Sequence, residues 1–328
     1  MGFRRHTDAV ASLPLMAIVV VTACAPASIS NRGDGSATMG SGGGSPGPAA
    51  SGGAPGGAAG AGSTSADPRW PPVGFINVTD ATVGGYALGP EQNPGGSGGA
   101  SGAADAGTNT GQCGGLYGLV RDFKMGNQPG GHPDFETMKG DDRGIVAVDL
   151  GPDSKPVYAH PGGNTPTTSG KEAFDQWYND TPGVNRTFVL GLHLIQQGNI
   201  YTFQADQFFP LDGQGFGNEG EAHNFSFTTE IHTSFKYAGG ESFTFIGDDD
   251  VFVFVNKKLV IDLGGRHSQE TGTVNLDGQS AQLGIAQGHV YDLSVFHAER
   301  HTKQSHFRID TTLAFVDCGQ LPPGIVIP

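Results

Sequence analysis

Positive charge is what this sequence has least of. Its 18 lysines and arginines face 32 aspartates and glutamates, for a net charge of −14, and only 15% of its residues are charged at all. That argues against a nucleic-acid partner, because phosphate binding depends on a basic stripe that this chain lacks. Helical periodicity is nearly absent as well. The one stretch that carries it is SGKEAFDQWYND, residues 169–180, where Ser169 is the expected cap and Phe174, Trp177 and Tyr178 share a face. No repeat period points to a solenoid or propeller. There is no nucleophile elbow, helical zinc motif or phosphate loop. The apolar run from Ala9 to Ala23 is too short for a spanning helix, which needs about 20 residues.

That run follows Arg4 and Arg5 and has the build of a signal-peptide core. Val21, Thr22 and Ala23 before Cys24 resemble the bacterial lipobox. The resemblance implies that residues 1–23 are removed and that Cys24 carries lipid and anchors the chain to a membrane; an ordinary cleaved signal peptide is the alternative. Ala25 after the cysteine points, by the same resemblance, to the outer membrane or cell surface of a bacterial envelope. Of three cysteines, Cys113 and Cys318 then remain. In an oxidising compartment they read as a disulfide closing one domain end to end, worth about 5 kcal/mol in the loop-entropy picture. Two free thiols are the bland reading.

Glycine is abundant, 55 residues, and concentrated between residues 24 and 112 in a Gly/Ser/Ala/Pro-rich tract with too little apolar surface to fold. This predicts a flexible tether with a span on the order of 50 Å. One island interrupts it near residues 70–90, WPPVGFINVTDATVGGYALGP, which could add a strand to the folded domain or serve as a short anchor. Residues 113–318 read differently. Short runs such as GIVAVDL, RTFVLGLHLI, IYTFQAD, NFSFTTEIHTSFKY, SFTFIG, VFVFV, KLVIDL, AQLGIA and VYDLSVFHAE are rich in Val, Ile, Phe, Thr and Tyr and bounded by turn residues. They predict one all-β domain, an antiparallel β-sandwich with at most a short helix, followed by a C-terminal tail at 319–328.

Within that domain FTFIGDDDVFVFV poses a physical problem. Two unit charges about 4 Å apart repel by roughly 4 kcal/mol at an effective dielectric near 20, so three consecutive aspartates need water, a basic neighbour or a metal ion. A continuous strand would also push at least one carboxylate into the core, since alternate side chains face opposite ways. A corner is cheaper: a strand to Ile246, a turn through Gly247 to Asp250, and a second strand from Val251. The oxygen donors of Asp248, Asp249 and Asp250 would then suit a hard cation, above all Ca²⁺; a solvated acidic turn is the alternative.

Two further constellations stand out. In VFHAERHTKQSHF, a strand would set His297, Glu299 and His301 on one face, with Leu293 and Val295, and Arg300 on the other with Phe296 and Ala298. Two imidazoles and a carboxylate could hold a transition metal, but local pairing of Glu299 with Arg300 is the reading preferred. In DLGGRHSQETG, Gly264 and Gly265 permit an unusual backbone path, and Arg266 and His267 are expected to project from a loop, to bond sugar hydroxyls or to neutralise the aspartates.

RDFKMG and HPDFE at 121–136, the block from FFPLDGQGFGNEG to GGRHSQETGTVNLD at 208–277, and FHAERHTKQSHFRIDTTL at 296–313 together resemble the fibro-slime domain family. That family looks related to the protective-antigen-type β-sandwich shared by flocculin adhesins. The resemblance implies a secreted or surface protein that adheres to polysaccharide or takes part in signalling. It also implies that Asp248 and Asp249, joined by a cis peptide, bind Ca²⁺ that in turn holds sugar hydroxyls. Where the family leads one to expect an Asn-Gly turn this chain has Asn256 and Lys257, a more strained pair for a type I′ hairpin.

The function expected is a lipid-anchored, Ca²⁺-dependent carbohydrate-binding or adhesion module without catalytic residues. Its partner would be a polysaccharide or other glycan, with envelope proteins as further candidates, and Arg266, His267, Glu299, Arg300 and His301 would contact the ligand. A glycoside hydrolase or metal-dependent hydrolase, and a structural or signalling surface protein that binds protein, are the alternatives.

Overall fold

The computed structural model describes residues 70–71, 74–78, 81–92, 115–136 and 140–323. The leader, Cys24, most of the tether and Cys113 lie outside the described residues. The described residues open with β1 (Ile76–Val78), β2 (Gly85–Gln92), β3 (Gly115–Phe123) and the two-residue β4 (Gly140–Asp141). After a one-turn helix α1 (Lys171–Phe174) come β5 (Asn185–His193), β6 (Ile195–Gln197), β7 (Ile200–Ala205), β8 (Phe227–Lys236) and β9 (Ser242–Gly247). β10 (Asp250–Val255), β11 (Lys258–Leu263), β12 (Gly265–Arg266) and β13 (Glu270–Asn275) lead into helix α2 (Leu276–Leu283). β14 (Val290–Glu299), β15 (Phe307–Thr311) and β16 (Ala314–Phe315) follow.

The strands build two antiparallel sheets. The larger has the order β1-β2-β5-β3-β8-β14-β10-β11, with β16 also on β8; the smaller has the order β13-β9-β15-β7-β6. β4 and β12 form a separate short ribbon. The all-β antiparallel architecture inferred from the strand runs is the one observed, and the island near residues 70–90 supplies β1 and β2, the latter hydrogen-bonded to β5. No helix of the described residues is long and apolar enough to cross a membrane.

The run VFVFV is apolar on both faces because both faces are covered. Val251, Val253 and Val255 join Leu293 and Val295 of β14, Phe243 and Phe245 of β9, and Phe307 and Ile309 of β15 in the core between the sheets. On the other side Phe252, Phe254, Phe296 and Ala298 pack under Phe135, Tyr158, Phe174, Trp177 and Tyr178, from the long segment between β3 and β5. Each aromatic ring so buried contributes about 1.5–3 kcal/mol, which is why a segment with little regular structure stays fixed over the sheet.

Several local expectations are corrected. GIVAVDL makes only isolated bridges, Val146 with Tyr158 and Asp149 with Lys258, and Val148 is left exposed. AQLGIA is not a strand: its first residues close α2, which ends on Gly284 in the left-handed conformation at φ 66. That helix shows almost no apolar stripe; it is held by its buried ends, Leu276 and Leu283. Ser169 does not cap α1. Gly170 does, with φ 101, because Asp134 Oδ1 takes the Ser169 amide at 2.6 Å instead. The hairpin between β10 and β11 has Asn256 at φ 48 and Lys257 at φ 65, the double positive φ of a type I′ turn. Cys318 is disulfide-bonded, and its carbonyl accepts the Tyr117 amide of β3 at 2.7 Å.

Candidate functional site at the Asp248–Asp249 corner

β9 belongs to the smaller sheet and β10 to the larger, so Asp248 and Asp249 are the two residues in which the chain changes sheets. Two other connections cross nearby: β11 leads through β12 to β13, and β14 leads through residues 300–306 to β15. The three crossings meet around a cavity of about 290 Å³ lined by Asp248, Asp249, Arg266, His267, Ser268, His301, Thr302, Lys303 and Gln304. The corner expected from the sequence is therefore present. Its peptide is not cis: among the described residues Trp70–Pro71 is the only cis bond, and the turn is made by Asp249 at φ 53, a left-handed conformation that aspartate tolerates better than most side chains.

The three carboxylates are buried, and they diverge. Asp248 accepts the His306 amide on Oδ1 and faces His306 Nδ1 from Oδ2 at 2.9 Å. Asp249 Oδ2 accepts the Arg300 amide at 2.8 Å. Asp250 turns beneath the other two, its Oδ1 taking the Gly265 amide at 2.7 Å and its Oδ2 lying 2.6 Å from both Arg300 Nε and Nη2. Asp250 is thus not brought to the cavity, and among the described residues no three His, Cys, Asp or Glu side chains gather in metal-binding geometry.

Arg300 does not pair with Glu299 as the sequence suggested. Its guanidinium, fully buried, bonds Asp250 and donates from Nη1 to the carbonyls of Asp134 and Thr167 at 3.0 and 2.7 Å. It also lies 4.5 Å from the centre of the Trp177 ring. Residues adjacent in a strand point to opposite faces, so the strand geometry that placed Glu299 and Arg300 apart also forbids their pairing. Glu299 is shut off from solvent; His301 N reaches its Oε1 at 3.4 Å, and Oε2 has no hydrogen-bond partner. Burial first, then the neighbouring Asp249 and Asp248, raise its pKa well above the carboxylate range. Burial also pushes Asp249 up to about 7, against the attraction of Arg300, and raises Asp250 in the same way. His297 sits among Phe208, Phe227, Phe245 and Phe307, and burial lowers its pKa to about 3, so it faces the core and not the cavity.

Arg266 departs most from expectation. It does not project from a loop; it is 5% exposed, and Nε, Nη1 and Nη2 all lack hydrogen-bond partners. Gly265, at φ 111, pulls β12 against Gly140 and Asp141 so closely that a Cβ there would stand 2.4 Å from the Asp142 amide. His267 is half-buried beside it, its ring nitrogens against the carbonyls of Ser268 at 2.8 Å and Leu263 at 3.1 Å. Leaving a buried donor unpaired costs about 1–3 kcal/mol, more for a charged group. Residues that the sequence did not single out are Ser268 and the 302–304 rim, where Thr302 is held by its amide and hydroxyl to Glu136 at 2.8 Å. Polar residues in a loop carry no pattern that would have marked them.

The fold and corner define an antiparallel β protein whose C-terminal part has a counterpart among known domains: residues 209–326 match the family model of the PA14 domain. Among curated proteins of Dictyostelium discoideum, the chain is 40% identical to Protein psiR over 209 residues, 58% of this chain and 20% of that protein. It is 42% identical to Protein psiD over 188 residues, 52% of this chain and 36% of that one. The chain thus spans well under half the length of these relatives. Among solved structures, it aligns with a PA14 sugar-binding domain from an RTX adhesin at 9% identity and a TM-score of 0.28, covering 62% of this chain and 96% of that one. The PA14 domain of the MpAFP antifreeze protein aligns at 11% identity and a TM-score of 0.23, covering 63% and 93%.

Proposed function

We propose that this chain is a calcium-dependent carbohydrate-binding and adhesion module of the fibro-slime type, carried on a lipid anchor at Cys24 at the surface of a bacterial envelope. A disulfide from Cys318 to Cys113 would close the domain; the bond between Tyr117 and Cys318 brings the end of the domain to the strand that follows Cys113. The observation that carries the reading is the cavity itself, with two carboxylates of a strained turn on its wall and hydroxyl, amide and imidazole groups around its mouth. Hard oxygen donors fit Ca²⁺. Asp248 and Asp249 would hold it, and its charge would offset the burial that raises Asp249. Sugar hydroxyls would complete the coordination, and His267, His301 and the 302–304 rim would orient the ring. The match to the PA14 domain supports the same reading. A hydrolase gains nothing from this geometry, because Glu299, the carboxyl it would need near an aspartate, is sealed beneath the cavity.

The test is retention of the full-length protein on a glycan array in calcium and in chelator. Retention is expected to vanish in chelator and in the Asp248→Ala, Asp249→Ala double variant. Retention unaffected by both would reject the mechanism.

A further inference from the structure

The outer face of the larger sheet carries an aromatic cluster that the corner does not use. Leu88, Leu116, Leu190 and Leu192 of β2, β3 and β5 face the core between the sheets, so Tyr117, Gly191 and His193 face the other way. There the floor is cut down to glycine. A Cβ would stand 3.1 Å from the Trp70 ring at Gly85, 3.2 Å at Gly115 and 2.9 Å at Gly191, and 2.8 Å from the Phe75 ring at Gly89. The rings therefore lie directly on the backbone. Trp70 stacks on His193 with centroids 5.2 Å apart, and Phe75 meets Tyr117 edge-on at 6.1 Å. Tyr117 also comes within 3.3 Å of where the Gly191 Cβ would be, so Trp70, Tyr117 and Phe75 run on from one another. Each is only half-buried, and Ile76, next in the chain, is 57% exposed.

Charge is missing from this face. On a chain with 32 acidic residues, none of residues 70–78 is charged, nor is any outward residue of β2 up to Gly89, of β3 up to Leu119 or of β5 from Val189 onward. Further along the same strands the charges are paired, Glu91 with Arg186 and Arg121 with Glu230. Strand register also sets the face apart from the corner: Asp250 lies opposite Ala298, Ala298 opposite Thr228 and Thr228 opposite Arg121, whereas Trp70 covers the other end of β3.

We propose that Trp70, Tyr117 and Phe75 form a second binding platform, for a neutral polysaccharide whose pyranose rings stack on them through their C–H faces, and that it works without calcium. The negative face of an aromatic ring attracts C–H groups, and the hydroxyls around a stacked sugar stay in water. No basic residue is present to meet a lipid phosphate. Rings of about 150–250 Å² each, half-buried, expose far less than the roughly 800 Å² that each partner of a stable protein pair buries. The platform goes beyond the calcium corner and shares with it only the class of ligand. Alone it is weak, with a Kd on the order of 0.1–1 mM, which is lost in the washing of an array; together with the corner it adds avidity.

The readout is built in. The chain has two tryptophans, and Trp177 is 0% exposed, so acrylamide quenching reports Trp70. The full-length protein is titrated in solution with cellohexaose, mannohexaose and chitohexaose, each in calcium and in chelator, and separately with phosphatidylcholine vesicles. At least one hexasaccharide is expected to protect Trp70 from quencher with the same Kd in both buffers. Calorimetry is expected to show binding about tenfold weaker in Trp70→Leu, which keeps an apolar cover over the glycines, and in Tyr117→Leu. Should either variant fail to fold, judged by its melting curve, protection in the unsubstituted protein decides. Absence of protection by all three sugars overturns the inference. Protection that disappears in chelator overturns it and leaves the calcium corner standing. Protection by vesicles and by none of the sugars overturns it in favour of a lipid surface, and protection that grows with protein concentration alone overturns it in favour of a second copy of this chain. Array retention that ignores chelator and the Asp248→Ala, Asp249→Ala variant rejects the corner without touching the platform.

Discussion

Replacing Arg300 by methionine keeps most of the side-chain volume and removes the charge, and the structure says what that removes. Asp250, at 0% exposure, loses its only charged partner. The carbonyls of Asp134 and Thr167 lose donors, and the Trp177 ring loses the cation above it. Breaking a buried ion pair from one side costs about 3–5 kcal/mol, because the surviving charge is stranded. Domains of this kind are stable by about 5–15 kcal/mol, so the loss is about a fifth of the total or more. Urea titration followed by tryptophan fluorescence, with Trp177 as the local reporter, measures it. The second half of the reasoning is the double variant Asp250→Asn, Arg300→Met. With no charge left to strand, it should be more stable than Arg300→Met alone by about 1–2 kcal/mol. A single variant that costs less than about 1 kcal/mol, or a double variant no better than the single, would refute the claim that this pair fixes the corner from below.

Other expectations follow from the same geometry. Asp250→Asn should leave chelator-sensitive glycan retention in place while Asp249→Asn abolishes it, since only Asp249 borders the cavity; equal loss in both would contradict the division of roles. Lys257→Gly should raise stability by about 0.5–1 kcal/mol, because Lys257 holds φ 65 and glycine adopts it without strain. An unchanged or lower urea midpoint counts against this. Gly191→Ala should displace Trp70, whose ring would lie 2.9 Å from the new Cβ, and cost about 1–3 kcal/mol as overpacking does; an unaltered tryptophan emission spectrum and midpoint would contradict it. Burial pushes Asp122 up to about 7. The folded protein then holds a proton that the unfolded chain releases near pH 4, so this residue's contribution falls as pH rises from about 4 to 7. Asp122→Asn should therefore gain stability relative to the unsubstituted protein across that window, and a pH-independent difference between the two would sink the assignment.

The fold class and the corner were legible in the sequence because both follow from alternation. Side chains on a strand take opposite faces, so VFVFV had to be covered twice, and three aspartates marked a break between two strands, although Asp250 opens β10 and is itself buried against Arg300. The placing of several single residues was legible too: Asp248, Asp249, Arg266, His267 and His301 all line the cavity. What the sequence could not decide was pairing. Whether Asp250 meets a cation or Arg300 depends on a strand about fifty residues away. Whether Arg266 projects or is buried depends on β4, more than a hundred residues upstream. α2 escaped because its stability comes from two buried ends and not from a stripe of its own. Local sequence fixes which way a side chain points from its strand; the partner it finds there is supplied by segments brought near only when the two sheets close on each other, and that is a property of the tertiary structure.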